Sequence, residues 1–153
     1  MQAIRVHSLD GIEALRFESA SLPAPGPGEI KVAVRAAGCN FADTLQIKGL
    51  YQTKPPLPFV PGPELAGEVT ATGVGVDRVK EGDRIMGWVP WGGYASEAIM
   101  SDWAAIPMPD NMSFRDGAAF PICYGTAYGA FMIPRVDLKR GEMTHPNPLF
   151  FKR

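Results

Sequence analysis

Four polar side chains in one stretch of this 153-residue chain combine the groups that hydrogen bonding and proton transfer require. Asn40 and Asp43 stand three residues apart at the start of a predicted short helix. Tyr51 follows that helix, and Glu64 opens an apolar strand beyond a proline-rich loop. An amide, a phenol and two carboxylates supply both donors and acceptors. We therefore predict that they converge on one pocket, which is the candidate chemical site.

Ordinary structural roles also explain these residues. Asn40 before the helix and Asp43 at its third position form the pattern of a capping box, which satisfies free N–H groups of the first turn. Glu64 stands in apolar sequence, where a buried carboxylate needs a partner. An ion pair with Arg84 or Lys48 would provide one. A functional role in the pocket is the other interpretation, and the residues alone leave both open.

Short strands joined by tight turns are predicted to position this pocket. Residues 29–37, EIKVAVRAA, alternate apolar and polar side chains like a strand with one buried face. The 17 glycines and 15 prolines suit many turns, and five prolines between residues 54 and 63 stiffen the loop before Glu64. The predicted fold class is mainly β with short helices, as a small barrel or sandwich. Further strands are predicted at residues 1–7, 15–17, 65–72, 84–89, 94–100 and 103–106, with a hairpin turn at Asp10 and Gly11.

The pattern becomes helical after residue 112. Ser113 and Asp116 form a capping box that opens a helix, and Pro121 is expected to interrupt it before a second helical stretch at residues 122–132. Residues 1–133 are predicted to form the folded domain, which the 46% hydrophobic content allows. Residues 134–142 are interpreted as a polar linker and residues 143–153 as an irregular tail.

Charge and composition argue against several partners. A net charge of −1 leaves no basic stripe for nucleic acid. Residues 117–134 carry no formal charge, but Pro121, glycines and tyrosines make them too weakly apolar for a membrane span. Two cysteines, Cys39 and Cys123, are too few for a disulfide framework and suit a reducing compartment. We predict a cytoplasmic protein with no nucleic-acid or membrane partner.

Four segments in order resemble the N-terminal catalytic domain of the medium-chain dehydrogenase/reductases. They are EIKVAVRAAGCN, NFADTLQIKGLY, PFVPGPELAGEV and VKEGDRIMGWVPWGGYASEA. The resemblance is strongest to the zinc-free quinone oxidoreductase (zeta-crystallin-like) branch and covers about residues 1–142. It implies a GroES-like, partly open β-barrel whose C-terminal helices lead, in the family, into a Rossmann domain. Here the sequence turns into MTHPNPLFFKR without the glycine-rich cofactor turn, so a truncated form without that domain is expected.

The same resemblance implies that no catalytic zinc is bound. Zinc-using relatives carry a cysteine where this chain has Asn40 and a histidine where it has Pro63. Catalytic zinc needs three protein ligands from cysteine, histidine or carboxylate, and two are replaced here. The run GVGVDR, from Gly73 to Arg78, begins like a dinucleotide-binding fingerprint but has arginine in place of the third glycine. We interpret it as a hairpin turn.

The resemblance also implies roles for the site residues. Asn40, Asp43, Tyr51 and Glu64 are the implied catalytic residues, and Asn40, Tyr51 and Thr126 are the implied cofactor-binding residues. For Glu64, the zinc-using relatives imply a remnant residue that holds the pocket by hydrogen bonds. For Thr126, a hydroxyl bonded to its own helix backbone is the alternative. The implied cofactor of the intact family enzyme is NADPH, which this chain alone is not expected to bind.

The implied reaction is hydride transfer from NADPH to a quinone or another α,β-unsaturated carbonyl compound. Hydrogen bonds from Tyr51 and Asn40 would stabilise the charge that develops on the carbonyl oxygen. Two other functions are kept as alternatives, namely an enoyl-thioester reductase fragment and a non-enzymatic interaction module. An uncovered apolar face at residues 117–134 is expected to promote self-association.

Overall fold

The computed structural model describes residues 1–132, and its architecture is mainly β with two helices, as the sequence predicts. The predicted linker and tail lie outside the described residues, so the boundaries assigned to them stay predictions. The elements are β1 Gln2–Val6, β2 Leu15–Ser19, β3 Glu29–Ala37, α1 Phe41–Gln46, β4 Glu64–Thr72, β5 Arg84–Trp88, β6 Glu97–Ser101, β7 Ala105–Pro107 and α2 Phe114–Met132.

Two antiparallel sheets carry the fold. β1 pairs with β2, and the larger sheet has the strand order β6, β3, β4, β5, β7. Main-chain hydrogen bonds from Ile4 to Tyr94 and from Val6 to Phe59 attach the smaller sheet to loops of the larger one. Within the described residues the sheets do not close into a barrel. The predicted GroES-like, partly open architecture is therefore confirmed.

The alternating strands build the main core on one face of the larger sheet. Ile30 and Val32 of β3 pack with Leu65 and Val69 of β4 and with Ile85 of β5. Each of these five side chains is at most 2% exposed. Complete burial of such a side chain stabilises the fold by roughly 1.5–3 kcal/mol. The core therefore fixes the ends of β3 and β4, from which the candidate site is built.

α2 packs on the other face of the sheet with its first half. Ala118 is 2% exposed and contacts Ala66 and Met108. Gly117 allows this approach, since a Cβ there would lie 2.7 Å from the Met108 Cε atom. Residues 123–128 of the same helix are exposed. No helix in the part of the chain that the structure describes is long and apolar enough to cross a membrane.

Three local predictions need correction. β1 and β2 form the expected hairpin, but their connection after Asp10 contains a 3-10 helix, Gly11–Ala14. A second 3-10 helix, Asp102–Ala104, takes the place of the first part of the strand predicted at residues 103–106. Such short 3-10 turns are common connectors. Pro121 does not divide the last helix, because α2 continues through it and the N–H group after the proline has a partner outside the helix.

Candidate functional site

A cleft of about 630 Å³ is lined by α1, the loop that follows it and the middle of α2. Four of the predicted site residues line it, namely Asn40, Asp43, Tyr51 and Thr126. Prolines and Trp88 form much of the remaining wall. These four side chains therefore converge on one space, whereas their chemical roles stay predictions.

Asn40 reaches the cleft because it precedes α1 in an extended conformation, with φ −122° and ψ 154°. The Asp43 Oδ2 atom accepts a hydrogen bond from the Asn40 backbone N–H at 2.7 Å. This is the carboxylate half of the predicted capping box. Asp43 is only 8% exposed, yet it lines the cleft. A capping role and a place in the site are therefore compatible for this residue.

Glu64 lies beneath the cleft rather than in its lining, and it is 2% exposed. Its Oε1 atom accepts a hydrogen bond from Asn40 Nδ2 at 2.9 Å, and its Oε2 atom accepts one from the Ile122 backbone N–H at 2.9 Å. The Arg84 guanidinium, one of the ion-pair partners considered, donates instead to the Met112 carbonyl and its neighbours. Glu64 therefore contacts Asn40 and lies outside the cleft lining. This position fits a carboxylate that holds the pocket by hydrogen bonds, and a catalytic role for Glu64 stays a prediction.

Two features of the sequence make room for the Glu64 carboxylate. Pro121 has no N–H, and its ring disturbs the preceding helical turn. The next N–H group, that of Ile122, is directed at Glu64. Gly38 follows β3 and faces the same carboxylate, so that a Cβ on it would overlap the Oε1 atom. Residue 38 must therefore be glycine, because any side chain there would collide with the Glu64 carboxylate.

Tyr94 completes the site, although the sequence assigned it only to a strand. Its hydroxyl donates a hydrogen bond to Asp43 Oδ2 at 2.5 Å. Burial, followed by the hydrogen bond to Asp43, raises the pKa of Tyr94 far above its ordinary value of 10.0, so the phenol stays a donor. A Cβ on Gly62 would lie 2.5 Å from the tyrosine ring. In the sequence, Gly62 before β4 and Gly92 and Gly93 before Tyr94 were the signal that the tyrosine ring could approach the backbone closely.

Gln46 also belongs to the site and was missed. It lies one helical turn after Asp43, is 6% exposed and lines the cleft. Residues three apart in a helix share a face. That spacing was therefore the signal in the sequence that could have added Gln46 to the predicted pocket.

The cleft offers hydrogen bonds without a positive charge. Among the described residues that line it, none is lysine, arginine or histidine, and Asp43 is the single carboxylate. The lining also includes residues with amide or hydroxyl side chains, namely Asn40, Gln46, Tyr51, Gln52, Thr53 and Thr126. A pocket with this lining suits an uncharged ligand that carries a hydrogen-bonding oxygen.

Within residues 1–132, no group of three or more histidine, cysteine, aspartate or glutamate side chains could hold a metal ion. The absence of zinc stays a prediction. The glycine run at Gly73 connects β4 to β5, as expected for a hairpin turn. The Gly73 N–H donates to the Glu29 carbonyl at 2.8 Å, and the Val74 carbonyl accepts from the Gly28 N–H at 2.9 Å. This run therefore has a structural use in the fold.

Comparison with known proteins gives the family. Residues 26–110 match the alcohol dehydrogenase GroES-like domain. The chain belongs to this family. It is 45% identical over 106 residues to quinone oxidoreductase-like protein 2 of Mus musculus, and 40% identical over 129 residues to quinone oxidoreductase of Rattus norvegicus. These alignments cover 69% and 83% of this chain, but only 30% and 39% of the two relatives.

Solved structures agree with this assignment. The human synaptic vesicle membrane protein VAT-1 homolog-like protein has a TM-score of 0.87 at 34% identity, over 92% of this chain and 45% of that one. Escherichia coli quinone oxidoreductase, solved with NADPH, has a TM-score of 0.82 at 33% identity, over 86% of this chain and 40% of that one. The predicted membership of the quinone oxidoreductase branch of the medium-chain dehydrogenase/reductases is confirmed. The chain spans less than half the length of these relatives.

Proposed function

We propose that residues 1–132 form the substrate-side domain of an NADPH-dependent quinone oxidoreductase, whose cleft binds a quinone or another α,β-unsaturated carbonyl compound. The convergence of Asn40, Tyr51 and Thr126 on one cleft without a cation carries this proposal. A neutral carbonyl compound finds donors there, whereas a carboxylate or phosphate would be desolvated without a charged partner. The similarity to quinone oxidoreductases supports the same substrate class.

The Asn40 amide acts as a donor in this proposal because of its partner. A carboxylate only accepts hydrogen bonds, so Glu64 turns the Asn40 Nδ2 atom toward itself. Nδ2 carries a second proton, which is available to a ligand oxygen. Together with the Tyr51 hydroxyl, this proton would stabilise the negative charge that develops on a carbonyl oxygen.

The described residues fit one end of NADPH. Amide and hydroxyl groups of Asn40, Tyr51 and Thr126 suit the carboxamide of a nicotinamide ring, which lies beside the substrate during hydride transfer. The glycine run at Gly73 is no candidate for the pyrophosphate, since its backbone is bonded to the loop before β3. When bound, NADPH supplies the hydride. We therefore expect no turnover from residues 1–132 without a further cofactor-binding part.

A chimera tests this function, with residues 1–132 in place of the aligned part of Escherichia coli quinone oxidoreductase. We expect NADPH oxidation with 1,4-benzoquinone and none with pyruvate, a charged carbonyl compound. Asn40→Ala and Tyr51→Phe should each lower kcat by about 100-fold, as expected for lost donors to a developing oxyanion. Trp103→Phe is the control, because Trp103 lines a different cleft. Unchanged kcat in both site variants would reject these roles, and preference for pyruvate would reject the substrate class.

A further inference from the structure

We propose that Tyr94 is a positioning residue of the cleft, which holds the Asn40 backbone in place through Asp43. This proposal depends on the proposed function only in one respect, which is the choice of a quinone as the ligand of the cleft. Its structural part concerns the side chains of Tyr94 and Asp43, the backbone N–H of Asn40 and the hydrogen bonds that connect them.

Tyr94 belongs to the rigid part of the fold. Its backbone N–H donates to the Pro61 carbonyl at 3.0 Å, and its own carbonyl accepts from the Ile4 N–H at 2.9 Å. The ring packs against Gly62, where a Cβ would stand 2.5 Å away. β1 and the loop before β4 thus fix this side chain without any contribution from α1.

α1, by contrast, cannot fix its own position. It has six residues, and a helix of this length is not stable without tertiary contacts. The Asp43 Oδ2 atom accepts the Tyr94 hydroxyl at 2.5 Å and the Asn40 backbone N–H at 2.7 Å. A single carboxylate oxygen therefore connects the fixed tyrosine to Asn40, the residue that precedes the helix.

The two ends of Asn40 are held separately. Its side chain is bound by Glu64, at 2.9 Å from Nδ2, and its backbone is bound by Asp43. Removal of the Tyr94 hydroxyl should loosen the backbone end, so that the contact with Glu64 alone holds the amide and its orientation toward the cleft becomes less fixed. The raised pKa of Tyr94 supports a donor that persists at every physiological pH.

The test compares Tyr94→Phe with Tyr128→Phe in the full chain, by NMR amide hydrogen exchange. Both variants lose one hydroxyl, and Tyr128 is 65% exposed and outside the cleft lining. In Tyr94→Phe, the Asn40 N–H should exchange about five- to tenfold faster, the effect of one lost buried hydrogen bond. The Val32 N–H, in the core strand, should exchange at its original rate, and Tyr128→Phe should change neither.

An Asn40 exchange rate within twofold of the original would overturn the proposal. Equal acceleration of Asn40 and Val32 would overturn it too, because Tyr94 would then contribute only to general stability. If Tyr94→Phe does not fold, the hydrogen bond of the Tyr94 hydroxyl is measured by NMR in the original chain instead. A slowly exchanging hydroxyl proton with nuclear Overhauser effects to the Tyr94 ring is expected, and its absence would contradict the proposal.

Duroquinone, a neutral quinone, adds a second readout. Its dissociation constant should rise about fivefold in Tyr94→Phe and stay unchanged in Tyr128→Phe. An unchanged constant in Tyr94→Phe would overturn the positioning role. Failure of the original chain to bind duroquinone would count against the proposed function alone, because amide exchange requires no ligand.

Discussion

The Nδ2 atom of Asn40 lies 2.9 Å from the Oε1 atom of Glu64, so a carboxylate buried beneath the cleft holds the amide that lines it. The second oxygen of the same carboxylate binds the Ile122 N–H of α2. Glu64 thus joins the start of α1 to the middle of α2 through two uncharged donors. Both of these helices line the cleft.

Glu64→Gln should destabilise the fold by about 1–3 kcal/mol. The NH₂ group of the new side chain would face either Asn40 Nδ2 or the Ile122 N–H, and that donor would lose its acceptor. Urea unfolding measures the change. Glu68→Gln is the matched control: Glu68 pairs with Arg35 at 2.7 Å in an exposed salt bridge, whose loss should cost less than about 1 kcal/mol. Equal losses in the two variants would contradict the account.

Gly38→Ala should also destabilise the fold, by about 1–3 kcal/mol, since its Cβ overlaps the Glu64 carboxylate. Gly129→Ala is the control, because a Cβ there meets open space on a helix and should stabilise by about 0.5–1 kcal/mol. Thermal unfolding followed by circular dichroism compares the two. A Gly38→Ala variant as stable as the original chain would contradict this steric conflict with Glu64.

Glu18 should make the β1–β2 hairpin sensitive to acid. The hydrogen bond with His7, at 2.9 Å, is the main cause that lowers the pKa of Glu18 below 4.5, with Arg5 as a further partner. When folding lowers the pKa of a carboxyl group, that group stabilises the fold at pH values above its pKa in the unfolded chain. This stabilisation is lost as the pH falls through the pKa of the folded state. An NMR titration should therefore find the Glu18 pKa closer to 4.5 in His7→Gln. The same pKa in both proteins would contradict this pairing.

The exposed half of α2 should cause self-association. Tyr124, Tyr128 and Phe131 are 62%, 65% and 44% exposed, and such contiguous apolar surface promotes contacts between molecules. Sedimentation velocity should show oligomers at moderate protein concentration, and Tyr124→Ser with Tyr128→Ser should shift them toward monomer. Trp103→Ser, at an exposed residue elsewhere, should not. A monomeric original chain would contradict this prediction.

Local signals predicted much of the fold and placed two residues of the cleft lining, Asn40 and Asp43, at the start of a helix. β3 was found at the predicted residues because its alternation is set by which side chains enter the core. Asn40 and Asp43 were found at the predicted helix start because capping depends on neighbours along the chain.

Contacts between distant residues could not be predicted in this way. The Tyr94 hydroxyl and Asp43 are 51 residues apart, and the Ile122 N–H and Glu64 are 58 residues apart. Nothing local to Pro121 shows that its helix continues, because the compensating acceptor comes from β4. The partners of Glu64 were therefore left open between an ion pair and hydrogen bonds within the pocket, and the fold supplies Asn40 Nδ2 and the Ile122 N–H.

The most direct test of the proposed cleft is an NMR titration of the ¹⁵N-labelled chain with duroquinone. Amide shifts should concentrate at Asn40, Gln46, Tyr51 and Thr126, and Asn40→Ala should weaken binding by about fivefold, the effect of one lost hydrogen bond. Shifts confined to the separate cleft beside Trp103, or no shifts at millimolar duroquinone, would contradict the account.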